Sequence, residues 1–181
     1  DVNGDGKLDR LISSIDGIYF ATAFAGTAFD VPGGVGVGEQ EDDVDRMSEP
    51  ATNFRDSALV DVDGDGDLDA VGINDRSHFV WRNDGKGRFS FWSHGYGNGQ
   101  QISTGDLNGD GATDIFVRGF ENSENWLRVL FNDSRGGFNS WNTMILDFTA
   151  SSAALGDVDG DGDLDAVVVG REGMNFIFWN N

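Results

Sequence analysis

The chain has 181 residues, no cysteine, and 32 acidic against 12 basic side chains, for a net charge of −20. That length allows one domain with a real core, while the charge excludes nucleic acid, whose phosphates demand basic patches. No apolar run approaches the roughly 18 residues of a membrane-spanning helix.

The chain opens on Asp1-Val-Asn-Gly-Asp-Gly-Lys-Leu-Asp9, with no initiator methionine or signal peptide before it. Such a start reads as a processed or partial segment. The same nonapeptide returns as Asp61-Val-Asp-Gly-Asp-Gly-Asp-Leu-Asp69, Asp106-Leu-Asn-Gly-Asp-Gly-Ala-Thr-Asp114 and Asp157-Val-Asp-Gly-Asp-Gly-Asp-Leu-Asp165. The copies divide the chain into units of about 1–55, 56–99, 100–150 and 151–181. Their spacing, with strand-like content between them, suits propeller blades or a β-solenoid.

After the first loop comes residues 31–48, glycine-rich and then acidic, which reads as a solvated insertion. In the later units a short strand enters each loop (Ser57–Val60, Gln101–Thr104, Ser152–Leu155) and a second leaves it (Asp69–Ile73, Asp114–Val117, Asp165–Val169). A third strand carries alternating aromatics: His78–Asn83, Trp126–Asn132 and Asn175–Asn180. Glycine turns at Asp84–Gly87 and Asp133–Gly137 then lead to a fourth strand from Phe89 or Phe138. Four antiparallel strands per unit make a propeller blade. The first unit lacks its entering strand and the last stops before its fourth, so about 14 strands are predicted.

Each nonapeptide has the composition of an oxygen cage. Calcium takes six to eight oxygens at about 2.3–2.6 Å, which alternate residues of a short loop can supply. In the second copy the side chains of Asp61, Asp63, Asp65 and Asp69 and the carbonyl of Asp67 would converge, with Gly66 allowing the sharp turn. An EF-hand is rejected, because its twelfth-position glutamate is replaced by Ile12, Gly72, Val117 and Val168 and a strand follows each loop. The ninth-position aspartate must then close the cage, with both oxygens. A plain Asp-Gly turn needs two such residues, whereas 16 of the 32 acidic residues crowd into these four clusters and would repel one another unless neutralised. Four calcium ions would bring −20 to about −12.

The unit D-x-[DN]-G-D-G-x-x-D, an apolar strand, then W-x-N-x-G-x-G-x-F resembles the FG-GAP/VCBS repeat over nearly the whole chain apart from residues 31–55. The resemblance implies an all-β, calcium-binding propeller of the kind found in integrin α-subunits and secreted microbial proteins, usually seven-bladed. Carried over by position, it implies metal ligands at Asp1, Asn3, Asp5, Lys7 and Asp9, and at Asp61, Asp63, Asp65, Asp67 and Asp69. The third set is Asp106, Asn108, Asp110, Ala112 and Asp114, and the fourth Asp157, Asp159, Asp161, Asp163 and Asp165. The seventh position contributes its backbone oxygen. Asn3 and Asn108 keep an oxygen but lose a charge, so their loops are expected to bind more weakly. Three and a half units fall short of seven, so the chain is either a fragment or part of an assembly.

Elsewhere the sequence offers less. Most aromatics read as packing between blades; Trp92, Trp141 and Tyr96 are the candidates for an exposed glycan-binding surface. His78 and His94 lack a catalytic partner at a telling spacing, and Asp30, Glu39, Glu41 and Asp42 have none that the sequence identifies. Asn132-Asp133-Ser134 matches a glycosylation sequon. The expected function is a non-catalytic, extracellular calcium-binding module for adhesion or for a protein or glycan ligand. The alternatives are a structural subunit self-assembling through open blade edges into a ring or filament, and an accessory domain of a secreted hydrolase or lyase.

Overall fold

The computed structural model describes residues 1–4, 6, 10–14, 17–21, 44–46, 53–96 and 99–181. The strands are β1 (Arg10–Ser14), β2 (Gly17–Ala21), β3 (Val44–Arg46), β4 (Asp56–Val60), β5 (Asp69–Ile73), β6 (Ser77–Asn83) and β7 (Phe89–Tyr96). They continue with β8 (Gln101–Gly105), β9 (Asp114–Glu121), β10 (Glu124–Phe131), β11 (Ser140–Leu146), β12 (Ala150–Gly156), β13 (Asp165–Gly170) and β14 (Asn175–Phe178). A single 3₁₀ turn, Arg171–Gly173, links the last two.

These strands form four antiparallel meanders, β1-β2-β3, β4-β5-β6-β7, β8-β9-β10-β11 and β12-β13-β14. The leading strands β1, β4, β8 and β12 lie side by side in succession. This is an all-β array of propeller-type blades, and no closed ring forms among the described residues. The strand that follows each of the later three acidic loops begins with an apolar run rich in β-branched residues, which favours a pleated, buried surface over a helix.

Alternation along the strands sends side chains to both neighbouring sheets. On β9, Ile115 and Val117 pack toward the second sheet with Val71, Ile73 and Val80. Phe116, between them, packs toward the fourth with Ala153, Ala166 and Val168. Between the first two sheets, Trp81 and Ala70 meet Phe54 and Val2. Burying each such aliphatic side chain contributes about 1.5–3 kcal/mol, so these three apolar layers hold the blades together.

Two sequence expectations shift. Within residues 31–48, expected to form one solvated insertion, Val44–Arg46 is the third strand of the first sheet, paired Tyr19↔Arg46, Phe20↔Asp45 and Ala21↔Val44. A polar edge strand needs only backbone pairing, which composition does not reveal. The rest of that insertion, including Glu39, Glu41 and Asp42, lies outside the described residues, as does Asp30 just before it. The fourth strand of the third unit starts at Ser140 instead of Phe138. Phe138 is buried in the layer between the second and third sheets and meets the His78 ring edge-on at 5.6 Å.

Candidate metal centre

Each of the later three acidic loops joins the entering strand of a sheet to the strand that leaves it, and the first precedes β1. Their own carboxylates shape them. The first-position aspartate accepts two backbone N–H groups across the turn. Asp61 Oδ1 accepts from Gly64 at 2.7 Å and Oδ2 from Gly66 at 3.0 Å. Asp106 accepts from Gly109 and Gly111, both at 2.8 Å, and Asp157 from Gly160 at 2.6 Å and Gly162 at 3.2 Å. In the first loop Asp1 Oδ2 accepts from Gly6 at 2.7 Å. Both glycines of every copy are left-handed, as in Gly64 (φ 78°) and Gly66 (φ 94°). The fourth position therefore requires glycine as much as the sixth, a demand the sequence pattern signals less plainly.

The fifth position continues the scaffold. Asp65, Asp110 and Asp161 each accept the N–H of the seventh residue, at 2.8–2.9 Å. Each carboxylate oxygen used in this way keeps lone pairs for a further partner. In the second loop one oxygen each from Asp61, Asp63 and Asp65 lies within 4.8 Å of the others. Asp157, Asp159 and Asp165 form an equivalent group in the fourth. Asp63 Oδ1 is buried and accepts no hydrogen bond. A buried, unsatisfied carboxylate oxygen beside two other carboxylates suits a hard divalent cation. In the third loop Asn108 is turned inward on itself, with Nδ2 donating to Asp110 Oδ2 at 3.0 Å. Asp5, Lys7 and Asp9 lie outside the described residues.

The ninth aspartate does more than close a cage. Asp69, Asp114 and Asp165 are fully buried, and both oxygens of each already accept backbone N–H groups. Asp69 takes Val62 N at 3.0 Å and Asn83 N at 2.8 Å. Asp114 takes Leu107 N at 3.0 Å and Asn132 N at 2.9 Å. Asp165 takes Val158 N and Asn180 N, both at 2.9 Å. These aspartates thus bolt the second residue of the loop to the end of the third strand of their own sheet. Burial drives the Asp69 carboxyl up to about 6, against the pull of its two hydrogen bonds, and the charges of Asp63 and Asp65 push it the same way. Burial also raises Asp114. Uncompensated negative charge of this kind is what a bound dication relieves.

Sequence reasoning missed the partner of that bolt. Asn83 Nδ2 donates to the Val2 carbonyl of the preceding unit at 2.8 Å and to Leu68 of its own loop at 3.0 Å. Asn132 Nδ2 reaches Val62 at 2.9 Å and Thr113 at 3.0 Å, and Asn180 Nδ2 reaches Leu107 at 3.2 Å. The W-x-N portion of the repeat carried this signal. It also disposes of the sequon, because the Asn132 carboxamide is 5% exposed and bonded on both sides. The peptide at the second loop position therefore gives its N–H to the aspartate of its own sheet and its C=O to the asparagine of the next. A continuous thread runs from Val2 through Asn83, Asp69, Val62, Asn132, Asp114, Leu107, Asn180 and Asp165 to Val158. At its end the pattern opens: Val62 is 1% exposed, Val158 45%.

Outside the loops, Trp92 on β7 and Trp141 on β11 are about half exposed on outer strands; the side chain of Tyr96 lies outside the described residues. Arg82 stands over the Trp92 ring at 3.6 Å. Its Nε is 3.2 Å from Asp63 Oδ2, a charge contact without hydrogen-bond alignment. An open groove beside the third loop is lined by Asn108, Asp110, Phe131 and Asp133. His78 is buried in β6, and His94 lies on β7 stacked near Phe79 and Phe91.

A family model described as an FG-GAP-like repeat matches residues 61–117 and again residues 106–168. Each match begins at the first aspartate of one loop and runs into the strand that leaves the next. No curated protein matches the chain.

Proposed function

Because the chain belongs to the FG-GAP-like repeat family, whose matches together span more than half its length, we propose that it is a non-catalytic, extracellular module of propeller blades. In this reading the acidic loops bind calcium and the outer surface recognises a protein or glycan. The observation that carries the calcium reading is the convergence of Asp61, Asp63 and Asp65 with one buried oxygen left unsatisfied. The residues that would hold the ion are those of positions 1, 3, 5 and 9 with the carbonyl of position 7. Calcium supplies charge neutralisation and loop rigidity here. At extracellular dissociation constants of about 0.1–1 mM, each ion stabilises the chain by roughly 0.4–1.4 kcal/mol in ~1 mM calcium. Stabilisation of that kind acts where calcium is millimolar, as it is outside the cell, and the extracellular placement belongs to the same proposal. No helix among the described residues is long and apolar enough to cross a membrane.

Thermal unfolding with calcium and with EDTA, beside metal analysis by mass spectrometry, tests this reading. The midpoint is expected to fall on chelation, and Asp65→Ala and Asp161→Ala are expected to cost more than Asn108→Ala. An unchanged midpoint with no metal bound removes the calcium reading. Trp141, and Trp92 on the face away from Arg82, are half exposed and offer ring surface on which sugars stack, and a glycan array read with and without chelator tests that part.

One observation favours self-assembly as a second reading. Val158, Val169, Ile177 and Trp179 expose a continuous apolar face on the last sheet, where inner sheets bury theirs. A chain that stays monomeric at about 19.5 kDa in calcium overturns it. As a further alternative, the module serves as an accessory domain to a secreted hydrolase or lyase.

A further inference from the structure

The second and fourth loops are the same nine letters, Asp61–Asp69 and Asp157–Asp165, so any difference between them must come from their surroundings. The residue beside the loop provides one. In register the residue after Trp81, Leu130 and Phe178 occupies equivalent places in the three later sheets: Arg82 in the second, Phe131 in the third, Trp179 in the fourth. Of these three, only the second loop has a cation there.

We propose that Arg82 is a resident cation of the second loop that makes it the weaker calcium site of the identical pair and links its filling to the contact between the second and third sheets. This proposal rests on the calcium reading above. Arg82 and Asp63 are largely buried together, at 24% and 16% side-chain exposure, 3.2 Å apart. The guanidinium is held from two further sides that do not involve Asp63. Its Nη2 donates to the Arg135 carbonyl in the turn of the third unit, and its plane lies 3.6 Å above Trp92. That turn packs closely: Ser93 Oγ donates to the Gly136 carbonyl at 3.1 Å, and a Cβ on Gly136 would meet Val62 and Trp92. Arg82 is thus anchored beside the loop and has little room to withdraw.

An ion held among Asp61, Asp63 and Asp65 would share Asp63 with this guanidinium, whose Nε lies 3.2 Å from Asp63 Oδ2; with calcium–oxygen distances of about 2.3–2.6 Å the two charges would stand roughly 5 Å apart. Even at the screening of bulk water, charges of +2 and +1 at about 5 Å repel by the equivalent of roughly tenfold in affinity. In the fourth loop Trp179 exerts no such repulsion. Linkage is reciprocal: an ion weakened by Arg82 in turn weakens Arg82's hold on Asp63, and Trp92, stacked on the same guanidinium, registers the change.

Calcium titration calorimetry with tryptophan emission tests the proposal on the whole chain. Asp65→Asn and Asp161→Asn assign the two sites. The fourth loop is expected to bind about tenfold tighter than the second, and Trp92 emission to change only as the second fills. Arg82→Gln is expected to tighten the second loop about tenfold, closing the gap, while Arg82→Lys, which keeps the charge, leaves it. Equal affinities in the unmodified chain overturn the proposal, as does an Arg82→Gln chain whose second loop binds no better. The comparison of the two loops in the unmodified chain decides the matter even where Arg82→Gln fails to fold. If the unmodified chain takes up no calcium by calorimetry and mass spectrometry, the calcium reading falls and takes this proposal with it, an outcome distinct from uptake at two equal loops.

Discussion

Replacing Asn132 with alanine tests the thread that joins the sheets. The carboxamide donates to Val62 O at 2.9 Å and Thr113 O at 3.0 Å, and its oxygen accepts Gly136 N at 3.0 Å. Truncation leaves two buried backbone groups and one part-buried one short of a partner, and each costs about 1 kcal/mol. The sum is about 3 kcal/mol, before any cost for the small void. For a chain of this size a loss of 1 kcal/mol lowers the midpoint by roughly 2–4 °C, so a fall of about 6–12 °C is expected in calcium. Asn180→Ala provides the internal contrast. Its carboxamide makes one part-buried bond of 3.2 Å to the preceding unit, and a loss nearer 1 kcal/mol is expected. Calorimetric or circular-dichroism melts read both. A change under about 1 kcal/mol for Asn132→Ala would refute the idea that these amides, beyond the apolar layers, set the junction.

Two further outcomes follow from the loops. In metal-free buffer, stability should fall as pH rises from 4 to 7, because folded Asp69 holds its proton up to about 6 whereas the unfolded side chain releases it near 4. Urea midpoints across that range check this, and a midpoint that climbs with pH through the same window is the contrary result. Gly66→Ala is expected to cost about 1–2 kcal/mol through its left-handed backbone alone, since no atom lies within 4 Å of the added carbon. Gly156→Ala, equally uncrowded but without that backbone constraint, should change far less.

The repeat and most strands were legible because they rest on strong local signals: paired glycines among alternating acids, and β-branched runs after them. What escaped was non-local. That Asp69 is a buried bolt as well as a candidate cage oxygen depends on Asn83, fourteen residues away. Asn132 matched a glycosylation pattern, and only its packing against Val62, seventy residues earlier, shows its role. The charge on Arg82 is one letter in an aromatic strand, and its meaning lies in the turn of another sheet. The short strand Val44–Arg46 hides in a polar stretch because pairing with β2 asks nothing of its side chains.

The thread from Val2 to Val158 also alters what counts as a piece of this molecule. Its bonds cross from sheet to sheet, so covalent connection between units is one of several ties and the apolar layers and amide links are the others. A single proteolytic cut in the Asp147–Thr149 connection, which joins β11 to β12, would leave two polypeptides still held by Asn180 to Leu107 and by Phe116 against Ala166 and Val168. The fold is in that sense closer to a row of interlocked tiles than to beads on a string, and separately expressed halves would be expected to find each other.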